Sequence, residues 1–434
     1  MTQEDTRLYA FAPLEGAVRF VGGSEVLLQL LPRLCTGWSF EPVTEAQRLA
    51  PLEVALADGR FRLSAPWQDA PVDESDPFRA AANLAVDLLE AHLDEHPDLL
   101  AIHGACAVLG DTAVLFPGSS RAGKSTLSVA LAAAGFPVLA DDVLALSSEQ
   151  PPHAISLGMH PRLRLPLPDA ADAQLARFVA DHSAAEDDKY AYLALPEGAG
   201  PSFGRTARLG AIVLLEREEG RDAELVSVIP GDGLQELMMQ QLSPALSQAD
   251  ALPRLATVLD GIPCYRLSYG DLADAVAKLR AVFVEGEEIE AAPAPVEDEA
   301  AASPTPATQE GTQRTFAIGL RFVRADGATH HQIEDETFLT LGEAGAVFRL
   351  NPISSALWNL VENPMSVDLC TALLAEAFPD IDERRIMADV ETHFAQMQEA
   401  GLVAIVQPVA PAETLPDAPE ADGPGGARPV ETAE

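Results

Sequence analysis

The stretch FPGSSRAGKSTL, residues 116–127, sets Gly118, Gly123, Lys124 and Ser125 in the spacing GxxxxGK[ST]. Glycines at both ends let the backbone wrap so that successive N–H groups point inward at phosphate oxygens. A helix beginning there adds the positive end of its dipole. Lys124 is placed to reach the β- and γ-phosphates, and the Ser125 hydroxyl to coordinate Mg²⁺. Ser119, Ser120, Arg121 and Ala122 between them, with Thr126 just after, complete the expected nucleotide cradle.

Phosphoryl transfer to a hydroxyl needs a second group of residues, because Mg²⁺ is a hard cation held through oxygen and the nucleophile needs a base. The segment VLADD supplies Asp141 and Asp142. On a strand the two point to opposite sides, so one serves the metal and the other the incoming hydroxyl, and the sequence leaves open which does which. His103 precedes the loop and is a candidate to hydrogen-bond into the site. Arg162, Arg164 and Lys189 are among the few cations of this region and are candidates to stabilise the transferring charge, or else plain surface cations.

The elements around these residues follow from pattern. Asp76 is an N-cap and Pro77 a first helical residue, followed by Leu84, Leu88, Leu89 and Leu93 at helical spacing up to Pro97. LLAIHGACAVL and TAVLF, joined by a Gly-Asp turn, read as two strands. KSTLSVALAAAG reads as a helix stopped by Gly135, and FPVLADDVLAL as one buried strand with both aspartates in its middle. The order is strand, glycine loop, helix, strand.

The stretch IHGACAVLGDTAVLFPGSSRAGKSTLSVALAAAGFPVLADD resembles the catalytic core of the HPr kinase/phosphorylase family, and more closely its HPr-kinase-like relatives. The resemblance covers roughly residues 76–285 and implies an α/β (α+β) P-loop kinase core of the phosphoenolpyruvate-carboxykinase-like type. It further implies ATP and Mg²⁺ as cofactors and a serine on a protein as acceptor. By position it assigns His103, Lys124, Asp141 and Asp142 to catalysis, the loop Gly118 to Thr126 to the nucleotide, and Ser125, Asp141 and Asp142 to the metal. The chain departs from the family in having Thr126 where the regulatory enzymes carry Glu. It also lacks the Pro-Gly-Arg-Asn stretch associated with their reverse, phosphorolytic activity.

Residues 315–406 form a smaller block of β-type runs followed by three amphipathic helices. Their expected apolar faces are Leu357, Trp358 and Val361, then Leu369, Leu373 and Leu374, then Ile386, Val390, Phe394 and Met397. Short strands with three helices make a winged-helix pattern, but Asp382, Glu383, Asp389 and Glu391 beside the third helix repel nucleic acid. FRLNPISSALWNLVEN and the closing MQEAGLV resemble the PqqD family, the recognition module of ribosomally made, modified peptides. That resemblance implies capture of a precursor-peptide leader as an added strand. By position the receiving strand is about Ala346 to Leu350, with Val347, Phe348 and Arg349 facing Ile386 and Val390. The same apolar residues also serve as core.

The expected layout is a β-rich part at 1–75, the kinase core at 76–285, an Ala/Pro/Glu linker at 286–314, the PqqD-like block at 315–406 and a disordered tail at 407–434. The formal charge of −39 disfavours nucleic acid. The absence of a long apolar run and the polar, acidic N-terminus predict a cytoplasmic protein without a membrane span. Cys35, Cys106, Cys264 and Cys370 are scattered and predict neither disulfides nor a zinc site. The leading expectation is an ATP-dependent serine or threonine kinase of a ribosomal precursor peptide. The alternatives are a kinase of a folded carrier protein and a nucleotide-dependent scaffold that holds the peptide without modifying it. Peptide-maturation enzymes and a homo-oligomer are further partners the resemblances allow.

Overall fold

The N-terminal residues form six strands, and burial alternates with a period of two along the fourth and fifth of them. These are β1 (Thr6–Phe11), β2 (Ala17–Val21), β3 (Phe40–Val43), β4 (Leu49–Ala57), β5 (Arg60–Ser64) and β6 (Val72–Glu74), paired in the order β3-β1-β2-β4-β5-β6. Their inward residues, among them Val18, Phe20, Val54 and Leu63, pack on Ala81, Leu84 and Leu88 of helix α1 (Pro77–Glu95). Asp76 caps that helix, its carboxylate accepting from the N–H groups of Phe78 and Arg79. Each buried leucine on α1 contributes about 1.5–3 kcal/mol relative to exposure. The structure is a computed structural model. It describes residues 6–118, 122–167, 171–187, 189–243, 246–289, 320–333, 336–342 and 346–406. Ser119, Ser120, Arg121, nearly all of the expected linker and the whole expected tail lie outside the described residues.

β7 (Leu100–Leu109) and β8 (Thr112–Pro117) form the predicted hairpin, with Gly110 at φ +60° in its turn. Then follow α2 (Lys124–Ala133), β9 (Val138–Ala140), β10 (Val143–Leu146), β11 (His153–Ser156), β12 (Arg162–Arg164), α3 (Ala173–His182), β13 (Ser183–Glu186) and β14 (Tyr190–Leu193). β15 (Thr206–Arg217), β16 (Glu224–Val228), α4 (Pro230–Met239), α5 (Gln248–Leu259), β17 (Cys264–Tyr269) and α6 (Leu272–Phe283) complete this part. The main sheet runs β11-β10-β7-β8-β15-β17-β16, with β9 also on β7, and β11 pairs β15 as well, so the sheet curls back on itself.

β7 and β8 are near-continuous apolar runs because both faces are covered. Ile102, Cys106 and Leu115 face Leu234, Leu237 and Leu252 of α4 and α5. Ala105, Ala107 and Phe116 face Leu127 and Leu131 of α2 and Leu279 of α6. FPVLADDVLAL is not one strand: it breaks at the two aspartates into β9 and β10. Ala140 pairs with Cys106 and Val143 with His103, so the register on β7 survives the bend.

β18 (Arg321–Arg324) is followed by an antiparallel meander of β19 (Ala328–Ile333), β20 (Glu336–Leu341) and β21 (Ala346–Leu350). After it come α7 (Pro352–Leu360), β22 (Met365–Ser366), α8 (Val367–Ala377), α9 (Glu383–Glu399) and β23 (Val403–Val406), with a sheet β22-β18-β23. The described residues fall into two compact units. Residues 327–352, the meander, belong with everything up to 289, while 320–326 and 353–406 form the second. Phe338 on β20 is part of the same core cluster as Leu252 and Leu255 of α5, with Val347 packed against it.

On α8 the predicted face is wrong for two residues: Leu369 and Leu373 are 49% and 40% exposed. The buried arc is Val367, Cys370, Thr371 and Leu374, spaced three and four apart, and the other leucines sit off it. All four cysteines are free and buried. Among the described residues no helix is long and apolar enough to cross a membrane.

Candidate active site

β8 delivers the chain to Gly118 at φ +151°, and α2 starts after Gly123 at φ +91°, both in the region that favours glycine. A Cβ on Gly123 would lie 2.8 Å from the Tyr269 hydroxyl at the end of β17. Among the described residues no side chain caps α2, and its first helical bond runs from Leu127 N–H to Gly123 O. The first-turn N–H groups, including those of Ser125 and Thr126, therefore have no helical carbonyl to accept them. Lys124 is 6% exposed and folds back so that Nζ donates to the Gly118 carbonyl. Burial lowers its pKa, and the charges of Asp142, Asp141 and Glu236 act the other way.

The two aspartates stand in different surroundings. Asp141 is 4% exposed, with Ser128 Oγ donating to Oδ1 at 2.8 Å and the Arg162 backbone N–H to Oδ2 at 3.0 Å. Burial raises its pKa against these bonds and a further one from Ser125. Asp142 keeps 45% of its side chain exposed. His103 Nε2 lies 3.1 Å from its Oδ1, and Arg162 Nη2 donates to its Oδ2 at 3.0 Å. Its pKa is held down, first by the bond with His103, against burial and with help from the Arg162 charge. One residue, Arg162, thus fixes both acids, one through its backbone and the other through its guanidinium, which also lies 5.1 Å from the Tyr190 ring centroid. Arg164 lies 5.9 Å from the same centroid, and Lys189 is exposed.

His103 is held from behind. Its Nδ1 is 3.0 Å from Gln240 Oε1, its backbone N–H donates to Gln240 O at 2.8 Å, and Gln240 Nε2 donates to Glu236 Oε1 at 3.1 Å. Burial raises the pKa of Glu236. Glu236 on α4 and Gln240, four residues on and just past the end of that helix, escape sequence reasoning because nothing local ties the helix to the loop. Ser128 and Tyr269 escape it as well, although Ser128 lies one helical turn beyond Ser125.

The residues expected at the peptide site divide between the two units. Val347, Phe348 and Arg349 lie on β21, at the end of the β19-β20-β21 order. Arg349 is engaged: Nη1 donates to Asp232 Oδ1 at 2.8 Å and to Gln235 Oε1 at 3.0 Å, and Nε to Glu336 Oε1 at 2.7 Å. Ile386 and Val390 lie on α9 of the second unit and are 6% and 0% exposed.

Residues 336–403 match the family model described as coenzyme PQQ synthesis protein D (PqqD), a stretch running from β20 through α9 to the first residue of β23. No curated protein matches the chain. Among solved structures it is similar to the Hpr(Ser) kinase/phosphatase from Coxiella burnetii, with 13% identity over 43% of this chain and 93% of that one and a TM-score of 0.23. The family match places a PqqD-like stretch at 336–403.

Proposed function

We propose that the protein is an ATP- and Mg²⁺-dependent kinase that phosphorylates a serine or threonine of a ribosomally made precursor peptide, held through its PqqD-like region. The observation that carries this reading is the uncapped start of α2, with Lys124 folded over Gly118 and in electrostatic reach of Asp141 and Asp142. The donor set fits the ligands. Backbone N–H groups and one ammonium suit phosphate, and a hydroxyl and carboxylates suit Mg²⁺, which takes one or two carboxylates together with phosphate oxygens.

ATP supplies the γ-phosphoryl group. Ser125 and Asp141 would hold the metal, with Ser128 and Arg162 fixing the Asp141 carboxylate. Asp142, the exposed acid, would take the acceptor hydroxyl's proton as the new O–P bond forms and the bond to the leaving β-phosphate oxygen breaks. His103 orients Asp142, and Lys124 balances the charge on the departing oxygens. Little covalent chemistry is asked of the protein; positioning and electrostatics do the work. Capture of the leader in the same chain raises the effective concentration of the hydroxyl to about millimolar.

The test is transfer of ³²P from [γ-³²P]ATP to peptides carrying serine or threonine by the full-length protein. Label is expected with wild type and none with Lys124→Ala. Equal labelling by that variant, or binding of peptide without any gain of phosphate, overturns the reading.

A further inference from the structure

A cavity of about 130 Å³ opens beside the exposed acid. Asp142 is among its lining residues, as are the apolar Ala82, Val86 and Leu89 of α1 and Leu242. Val86 and Leu242 are 46% and 41% exposed, large aliphatic side chains left in water next to the catalytic carboxylate. Covering such side chains with another apolar group is favourable because it removes apolar surface from water. Size narrows the occupant: an apolar cavity of about 150 Å³ holds one benzene. The space therefore admits one branched aliphatic or phenyl side chain and no larger element. Charge narrows it further. Glu90, Asp141 and Asp142 share the lining, and Arg162 is already paired with Asp142, so an anionic group is disfavoured there.

We infer that this cavity is the acceptor-side subsite, taking an aliphatic or aromatic side chain of the peptide within two positions of the phosphorylated residue. The inference rests on the kinase reading for its name, but the binding it asserts is separate. In an extended peptide, residues two apart share a face and lie about 6.6 Å apart. A hydroxyl at Asp142 therefore brings the side chain two positions away over the α1 wall. The choice of substrate flank is then made by α1, a helix that contributes no group to the phosphate loop.

The test is a binding selection. The full-length protein with Mg·AMP-PNP is offered a peptide library with a fixed serine and randomised flanks, and bound peptides are sequenced while ³²P transfer from ATP is followed in parallel. Leu, Ile, Met or Phe near the serine should be enriched about 10-fold or more. Val86→Trp, which fills the mouth, should abolish the enrichment. Val86→Asp should replace it with Lys and Arg. Enrichment without transfer from ATP would leave the subsite standing and remove the kinase reading. Flanks that stay random, or enrichment that persists in Val86→Trp, overturn the subsite whether or not label is transferred.

Discussion

His103 on β7 and Asp142 at the β9–β10 bend meet across the sheet, Nε2 to Oδ1 at 3.1 Å, because the pairing of His103 with Val143 places the acid one residue away from the imidazole. Asp141, next in the chain, turns into the protein and gives both oxygens to internal donors. The neighbouring acids should therefore fail differently. Asp142→Asn should lower kcat by about 10²–10⁴-fold, the range for a lost general base, with Mg·ATP affinity nearly unchanged. Asp141→Asn should lower Mg·ATP affinity first. Single-turnover kinetics and calorimetry on the two variants separate the cases, and unchanged turnover in Asp142→Asn would refute its assignment as base.

Gly123→Ala should cost stability and nucleotide affinity together. A non-glycine residue at φ +91° is strained by about 1–3 kcal/mol, and its methyl would meet the Tyr269 hydroxyl at 2.8 Å. Tyr269 is fully buried and its hydroxyl has no hydrogen-bond partner among the described residues. Tyr269→Phe should accordingly be neutral or stabilising, and in the double variant it should recover only the contact part of the loss. Thermal melts of the three proteins check this, and full recovery would place the whole effect in the contact.

The legible parts of the molecule are those whose signals are local. Two glycines, a lysine and a serine in one loop, Asp76 before Pro77, and Gly135 after a helical run each carry their own backbone requirement, and all their described residues stand where pattern puts them. The bend between Asp141 and Asp142 was not legible, because alternation along a buried apolar strand looks the same on either side of a break. Leu369 and Leu373 misled for a related reason: leucine outranks cysteine and threonine in hydrophobicity, yet the phase of α8 is set by Cys370 and Thr371. Gln240, backed by Glu236, reaches His103 from a part of the chain far away in sequence, and nothing in β20 or β21 names the core that Phe338 and Val347 join.

Asp87, 4% exposed on α1, accepts from Trp67 Nε1 and from Gln68 Nε2, both at 2.9 Å. Asp87→Ala should cost about 1–3 kcal/mol by stranding two donors. Burial, its largest influence, raises the pKa of Asp87 above the usual aspartate value despite these bonds. The native state therefore binds this proton more tightly than the unfolded chain does. Its contribution to stability falls as pH rises from about 4 through the raised native pKa and is flat above it. Asp87→Asn cannot titrate, so the melting-temperature difference, wild type minus variant, should shrink over that window. A difference that grows with pH would contradict the sign.

Arg349 gives the last prediction. Its guanidinium ties β21 to Glu336 on β20 and to Asp232 and Gln235 on α4, and a Cβ on Gly231 beside them would overlap the Glu336 carboxylate at 1.7 Å. The meander and the start of α4 are thus packed closely around one cation and two acids. Removing the cation takes an ion-pair partner from both Asp232 and Glu336, and Arg266, 3.5 Å from Asp232, compensates only the former among the described residues. Hydrogen bonds to charged groups contribute about 1.5–3 kcal/mol each in net terms, and partial exposure places the loss toward the lower end. Arg349→Ala should therefore speed amide exchange across residues 336–350 while leaving β7 and β8 protected. Arg349→Lys should restore only part of the protection, since one ammonium cannot span three acceptors as a planar fork does. If exchange in the meander is unchanged in both variants, β19–β21 is held by Phe338 and its apolar neighbours alone.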